Sequence, residues 1–481
     1  MKKVQQTSHK EVKVLEMSER PNILWYCTDQ QRFDTIGALG NPHVKTPVLD
    51  SLVSGGTAFT HTYCQSPICT PSRASFMSGL YPSRVHNTRN GNESFPDWPP
   101  VITKLIAEAG YDCGMIGKFH LQSSGKRTEP RIDDGFRYWK FSHAPRDDWE
   151  EGHDYADWVR EQGGDLNKLR ESEDRVPTEL HQTTWASERS IEFIRQERKE
   201  PWLLNVNVYD PHPPFTPPKS YAEQFDPKDM PGPHFKESDL EAQAKLADCD
   251  FQDEVRTPEE HDAKGAQARY YAMIAQIDDQ FGRILQTLDE TGQRDNTVII
   301  FTSDHGETLG DHGLMYKGCR FYEGLVRVPL IFSWPGNFQA DKQSDSLVEM
   351  MDLSASLLEL AGVPLPDYFQ GKSLLPILSG ESDGADHRKF VRCEYFDALD
   401  PHFTGGSGTY ATMHRTRRHK LCVYHGKGVG ELFDLENDPW EHQNLWDDPD
   451  HTVLKNQLLA ESFDAHVLLT TDVGSKRIAP M

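Results

Sequence analysis

The 481 residues are enough for one large α/β domain with a smaller companion. Hydrophobic residues make up 36% and aromatics 10%, spread along the whole length, which excludes wholesale disorder. Lys and Arg total 51 against 75 Asp and Glu, a formal charge of −24, so the chain repels nucleic acids and anionic membrane surfaces, and neither is expected as a partner.

Residues 1–20 are polar and charged and read as an N-terminal extension. They lack the apolar stretch of a secretory leader, and no later run is long enough to span a bilayer. The expectation is a soluble, cytoplasmic protein, or a periplasmic or secreted one if a leader was removed.

The first apolar run, Asn22 to Thr28, ends in the polar group Asp29, Gln30, Gln31 and Arg32 and suits a buried parallel strand. A helix is expected over Thr46 to Ser54, with Pro47 in its first turn. Trp202 to Tyr209 and Thr297 to Thr302 repeat the pattern of apolar strand and polar tip, ending at Asp210 to His212 and at Ser303 to His305. Helical patterns at Thr183 to Arg198 and Ala266 to Glu290 lie between or before them. Strands alternating with helices predict an α/β fold with a large, mostly parallel sheet. Polar strand tips in such a sheet face the usual ligand crevice.

Asp226 to Glu260 has little periodicity and reads as a long surface insertion that lines the site. After Leu378 the stretch SGESDGAD reads as a linker, and from Lys389 the runs KFVRCEY, KLCVYH and ELFDL predict a small C-terminal α+β unit with a short antiparallel sheet. The expected domains are therefore 21–380 and 381–481.

The eight cysteines fall into no zinc-binding spacing and read as buried thiols. Cys64 and Cys69 are close enough in sequence to pair, but a chain without a secretory leader does not call for a disulfide framework.

One of these thiols opens the run Cys69, Thr70, Pro71, Ser72, Arg73, followed by ASFMSG. If the segment turns helical, Arg73 shares a face with Cys69 and can set its charge over it, while the helix N-terminus adds positive potential. The run resembles the Cys-x-Pro-Ser-Arg signature of the formylglycine-dependent sulfatases, a branch of the alkaline phosphatase superfamily. The resemblance extends over roughly Pro21 to Leu445 and implies an alkaline-phosphatase-like fold. It also implies that a formylglycine-generating maturation enzyme oxidises Cys69 to an aldehyde, which hydrates to a geminal diol. A diol oxygen can attack sulfur and its twin can then expel sulfate, whereas a thiol would be trapped as a stable adduct.

By the same resemblance, Asp29, Gln30, Asp304 and His305, together with the matured Cys69, hold a divalent cation, calcium by preference, with magnesium or manganese as alternatives. Many family members carry two adjacent Asp where this chain has Asp29 and Gln30. Phosphonate monoester hydrolases of the superfamily resemble the chain at that point, because two carboxylates balance a dication and a third leaves excess negative charge.

The run Gly117, Lys118, Phe119, His120 resembles the family's Gly-Lys-x-His element, which implies that Lys118 holds the nucleophile and the anion while His120 assists collapse of the covalent intermediate. Within Asp210 to Phe215, His212 matches the leaving-group acid, and Lys317 in GLMYKG matches a lysine on the sulfate. Convergent cations and a proton donor are what an anionic transition state requires.

The expected activity is hydrolysis of a sulfate monoester of a small molecule or saccharide, of carbohydrate or aryl type. The alternative is a phosphonate monoester or phosphodiester hydrolase using the same site. A non-catalytic carbohydrate-binding relative is disfavoured because every chemical residue is present. A two-metal enzyme with a Ser or Thr nucleophile would need a second His/Asp cluster, and the sequence pattern displays none. Arg320, His402, His414 and Arg415 are further candidates for the leaving-group side, and oligomer formation is left open.

Overall fold

The computed structural model of the chain describes residues 20–123, 128–146, 152–172, 175–399 and 408–470. The N-terminal extension, apart from its last residue, and His402 lie outside them.

Strand β1 (Asn22–Thr28) explains the first apolar run. Ile23, Trp25 and Cys27 enter one core cluster and Leu24 and Tyr26 another, so the strand is covered on both faces. The same alternation holds at Thr297–Ser303, where Val298 and Ile300 face one way and Ile299 and Phe301 the other.

The further strands of this sheet are β2 (Thr57–Tyr63), β3 (Asp112–Gly117), β4 (Tyr138–Phe141), β5 (Trp202–Asn207), β6 (Thr297–Ser303), β7 (Arg327–Val328), β8 (Leu330–Ser333) and β9 (Lys342–Glu349). They order as β4-β3-β5-β1-β6-β8-β2-β7, with β9 also paired to β2. The run β4-β3-β5-β1-β6 is parallel throughout, while β8 joins β6 and β2 antiparallel. The mixed, mostly parallel sheet is as the alternating pattern predicts.

Helix Ala263–Glu290 lays Ile277, Phe281, Ile284 and Leu288 on one face of the sheet at helical spacing. Burying each such side chain stabilises by about 1.5–3 kcal/mol, against about 0–1 kcal/mol for an exposed ion pair, so packing fixes this helix. Helix Gln182–Ile194 covers the same face through Trp185, Phe193 and Ile194. The opposite face carries helix Cys69–Ser78, buried on every side, and helix Met350–Leu360 with Leu353, Leu357 and Leu358.

A second sheet joins β10 (Phe390–Phe396), β11 (Tyr410–Thr416), β12 (His419–Tyr424) and β13 (Val429–Asp434), antiparallel in sequence order. Strand β11 was absent from the sequence expectation, because YATMHRT mixes polar and apolar residues. Its Ala411 and Met413 pack into the same core as β1.

Two expectations need correction. Strand β5 ends at Asn207, so Val208 and Tyr209 already belong to the loop. The segment Asp226 to Glu260 is not a plain surface insertion: it forms helix Glu237–Ala244 and buries Asp239, Gln243, Leu246, Cys249 and Asp250. Its anchors are largely polar, which is why no apolar period announced it. All eight cysteines are free thiols, in keeping with the reading against a disulfide framework. No helix among the described residues is long and apolar enough to cross a membrane.

Candidate active site

Because β3, β5, β1 and β6 are neighbours and parallel, their C-terminal ends meet at one edge of the sheet. Asp29 follows β1, Lys118 and His120 follow β3, His212 follows β5, and Asp304 and His305 follow β6. Residues scattered over most of the chain therefore converge. Gly117 makes the approach at β3: its φ is +98° and a side chain there would strike the Asn207 carbonyl, while the next amide, Lys118 N–H, donates to that oxygen at 2.9 Å.

Cys69 is the first residue of its helix and is 1% exposed. Nζ of Lys317 stands 2.9 Å from its Sγ, Nε2 of His305 3.1 Å, Nζ of Lys118 3.6 Å and Oδ1 of Asp29 3.6 Å. The His120 and His212 side chains also reach the sulfur. Burial alone would push the Cys69 thiol up, but Lys118, Lys317 and His305 outweigh it and hold it well below the usual thiol value.

Asp29 lies between these groups. Burial and the Cys69 sulfur push its carboxyl up, yet Lys118, His212 and Lys317 hold it at about 2. Lys118 pairs with Oδ2 of Asp29 and lies over the Tyr209 ring, 5.4 Å from its centroid. Asp304 accepts the Gln30 and His305 amides at 3.0 and 2.9 Å through Oδ1, and Nε of Arg73 at 2.8 Å through Oδ2.

Arg73 corrects an expectation. Its hydrogen bonds go to Asp304, to the Lys118 carbonyl at 2.7 Å and to Asn207 Oδ1 at 3.2 Å, so it braces the site from behind instead of standing over the sulfur. Its Nη2 is buried without a hydrogen-bond partner, 3.9 Å from Asp29.

His305 bonds through Nδ1 to the Gly306 carbonyl at 2.8 Å, which directs Nε2 at Cys69, Asp29 and Asp304. Burial would lower its pKa, but Asp304 and the Cys69 sulfur together outweigh it and lift it to about 9. Gln30, held at a φ of +71°, turns Oε1 to Lys317 at 2.7 Å and Nε2 to Glu307.

Asp29, Cys69, Asp304 and His305 each offer one ligand atom, all within 4.8 Å of one another and all buried. Two carboxylates, one directed imidazole nitrogen and the nearby Gln30 amide oxygen form a donor set that fits a divalent cation. The two negative charges balance it, leaving Lys118 and Lys317 to face an anion.

The two remaining sequence candidates sit at the rim. His120, 8% exposed at a φ of +57°, has its imidazole lowered to about 4 by burial and by Lys118. Half-buried His212, in contact with the Tyr209 ring, is also lowered, first by burial and then by Lys317. The further candidates for the leaving-group side go elsewhere. Arg320 binds Gln243 and the Cys319 and Leu246 carbonyls; His414 packs on Phe390, and Arg415 lies over Tyr63 beside Glu323.

Sequence reasoning missed three supporting residues. Buried Glu129 accepts the amides of His120, Leu121 and Gln122 at 2.6, 2.6 and 2.8 Å. Glu307 fixes Gln30, and Asn207 fixes Arg73. Only Glu307 left a signal, its place two residues beyond His305.

The sulfatase family model matches residues 21–363, and a model described as N-sulphoglucosamine sulphohydrolase, C-terminal, matches 310–466. An arylsulfatase of Clostridium perfringens is 31% identical, covering 89% of this chain and 90% of its own length. A multifunctional alkaline phosphatase superfamily protein, PehA, of Trinickia caryophylli is 30% identical, with coverages of 90% and 93%. The solved phosphonate monoester hydrolase of Agrobacterium radiobacter superposes with a TM-score of 0.78 at 26% identity, covering 93% of this chain and 96% of that one. On these matches the chain belongs to the sulfatase family, a group of hydrolases within the alkaline phosphatase superfamily.

Proposed function

We propose that the chain hydrolyses a sulfate monoester of carbohydrate or aryl type, with Cys69 matured to formylglycine as the nucleophile. The observation that carries this reading is the gathering of Lys118, Lys317, His305 and Asp29 within 3.6 Å of Sγ, the atom that stands where the matured side chain's oxygens would lie. The aryl and saccharide classes are supported by the arylsulfatase relative and by the sulphohydrolase C-terminal match.

The matured side chain supplies a geminal diol, one hydroxyl of which gives its proton to Asp29 as its oxygen attacks sulfur and the ester's S–O bond to the leaving alcohol breaks. His212 gives that leaving oxygen its proton; the approaching anion offsets the lowering that burial and Lys317 impose on the imidazole. His120, neutral because burial and Lys118 keep its pKa at about 4, accepts the proton of the second hydroxyl, whose electrons re-form the carbonyl and expel sulfate. Lys118 and Lys317 neutralise the oxygens that gain charge. A cation held by Asp29, Gln30, Asp304 and His305 would polarise the ester's oxygens when bound.

A second reading, a phosphonate monoester or phosphodiester hydrolase, is favoured by Gln30 and by the Agrobacterium neighbour. One pair of measurements tests both. Intact mass should show Cys69 lighter by about 18 Da in active protein. Aryl sulfate and aryl phosphonate are then compared by kcat/KM. A large preference for the phosphonate overturns the sulfate reading, and an active but wholly unconverted preparation overturns the nucleophile.

A further inference from the structure

A second group of metal-binding side chains shares no residue with the Cys69 cluster. Asp239 comes from helix Glu237–Ala244, His312 from the turn Asp311–Gly313, and His442 from the loop after β13. Three segments far apart in sequence thus deliver one carboxylate and two imidazoles whose ligand atoms lie within 4.8 Å of each other.

Each residue is held for this meeting. Asp239 is 2% exposed, and its Oδ2 accepts the Lys236 amide at 2.8 Å, which caps the helix and fixes the carboxylate facing both histidines. His312 is 3% exposed, has a left-handed φ of +55°, and stacks on Tyr322 at 3.8 Å between centroids. Tyr322 is itself anchored by Gln243 and Glu431 at 2.7 and 2.9 Å. His442 keeps a side chain 10% exposed, so an ion has a route in from solvent.

The distances suit an ion at the centre of the trio. Nδ1 of His442 lies 3.1 Å from both carboxylate oxygens, a shared hydrogen-bonding position that an ion seated between the groups would take over. Nδ1 of His312 lies 3.6 Å from Oδ2, too far for a hydrogen bond. Bonds of about 2.0–2.1 Å around tetrahedral zinc place its ligand atoms about 3.3–3.4 Å apart, and the observed separations bracket that edge. Two imidazoles and one carboxylate are also a donor set that zinc prefers over calcium or magnesium.

The geometry points to a zinc site at Asp239, His312 and His442, with water in the fourth position. The ion clamps the insertion helix and the C-terminal loop onto the turn that precedes Lys317, so its role is to hold the active-site loop in place. It takes no part in the ester chemistry.

The test uses the full-length protein, stripped with chelator, incubated with zinc chloride, desalted and analysed for bound zinc. His442→Gln and Asp239→Asn are made in parallel, the second keeping an acceptor for the Lys236 amide. Wild type should retain one zinc equivalent more than either variant, and zinc should raise its Tm more than theirs. Two equivalents falling to one supports both this site and metal binding at the Cys69 cluster. One equivalent falling to none supports this site alone. Equal zinc uptake by wild type and a folded variant overturns the proposal and leaves an Asp–His contact.

Discussion

Lys317 and Gln30 are joined by a 2.7 Å hydrogen bond from Nζ to Oε1, and the same ammonium stands 2.9 Å from the Cys69 sulfur. The neutral amide leaves the charge of Lys317 available to a substrate. A carboxylate in its place would neutralise that charge locally, and the loss should grow with the charge of the ester. Gln30→Asp is therefore expected to cut hydrolysis of a dianionic aryl phosphate by about tenfold relative to an aryl sulfate, about 1.4 kcal/mol of discrimination. An unchanged ratio of kcat/KM values would show that Gln30 does not set the charge preference.

Cys69→Ala should lower kcat by at least about a thousandfold while leaving a folded protein, because only one small buried group is lost. Thermal unfolding should shift by no more than a few degrees, corresponding to about 1 kcal/mol. Near-normal turnover in the variant rules out the proposed nucleophile.

Removal of divalent cations should depress aryl sulfate hydrolysis by more than about tenfold, with recovery on adding calcium, magnesium or manganese back one at a time. The metal that restores most activity identifies the preferred occupant of the Asp29, Asp304 and His305 cluster. Undiminished rates after exhaustive chelation count against those residues as ligands.

His120 gives a signed pH effect. Its folded pKa is depressed to about 4, so an unfolded chain takes up its proton first as pH falls. The stability this buried neutral ring provides is complete above its ordinary value of about 6.5 and is lost as pH drops towards 4. His120→Gln should remove about 1–2 kcal/mol of the stability difference between pH 7 and 5. Urea unfolding at the two pH values decides it; equal slopes in variant and wild type contradict the assignment.

Glu129 receives three successive amides, including that of His120, and so holds the imidazole-bearing turn in its left-handed conformation. Glu129→Gln replaces one acceptor oxygen with a donor and leaves at least one amide unmatched. We expect kcat to fall by about tenfold with KM within about twofold, since the ester's own contacts survive. Equal losses in kcat and in thermal stability, with no change in the pH profile, would reduce Glu129 to a purely structural role.

The parts of the site that could be read from residues alone are those whose chemistry is contiguous or stands at a strand end. Cys69 to Arg73 is one run on one helix, and Asp29, His212 and Asp304 each follow an apolar stretch that could only be a buried strand. Glu129, Glu307 and Asn207 act on backbone amides or on other side chains across the fold, and such service leaves no period in the sequence. Strand β11 and helix Glu237–Ala244 escaped for a related reason, since both are held in part by polar contacts that hydrophobic patterning does not register. The position of Arg73 was misjudged because helical spacing gives the face of a residue but not the length and aim of its guanidinium.

The order β3-β5-β1-β6 carries a consequence for biosynthesis. Strand β6, which brings Asp304 and His305, begins only at Thr297, and Lys317 emerges later still. A ribosome-bound chain stopped before that point holds Cys69, Asp29 and Lys118 but lacks Asp304, His305 and Lys317. Competence should therefore appear abruptly with chain length, late and all at once, so that truncated products accumulate as inert protein and not as weakened enzyme.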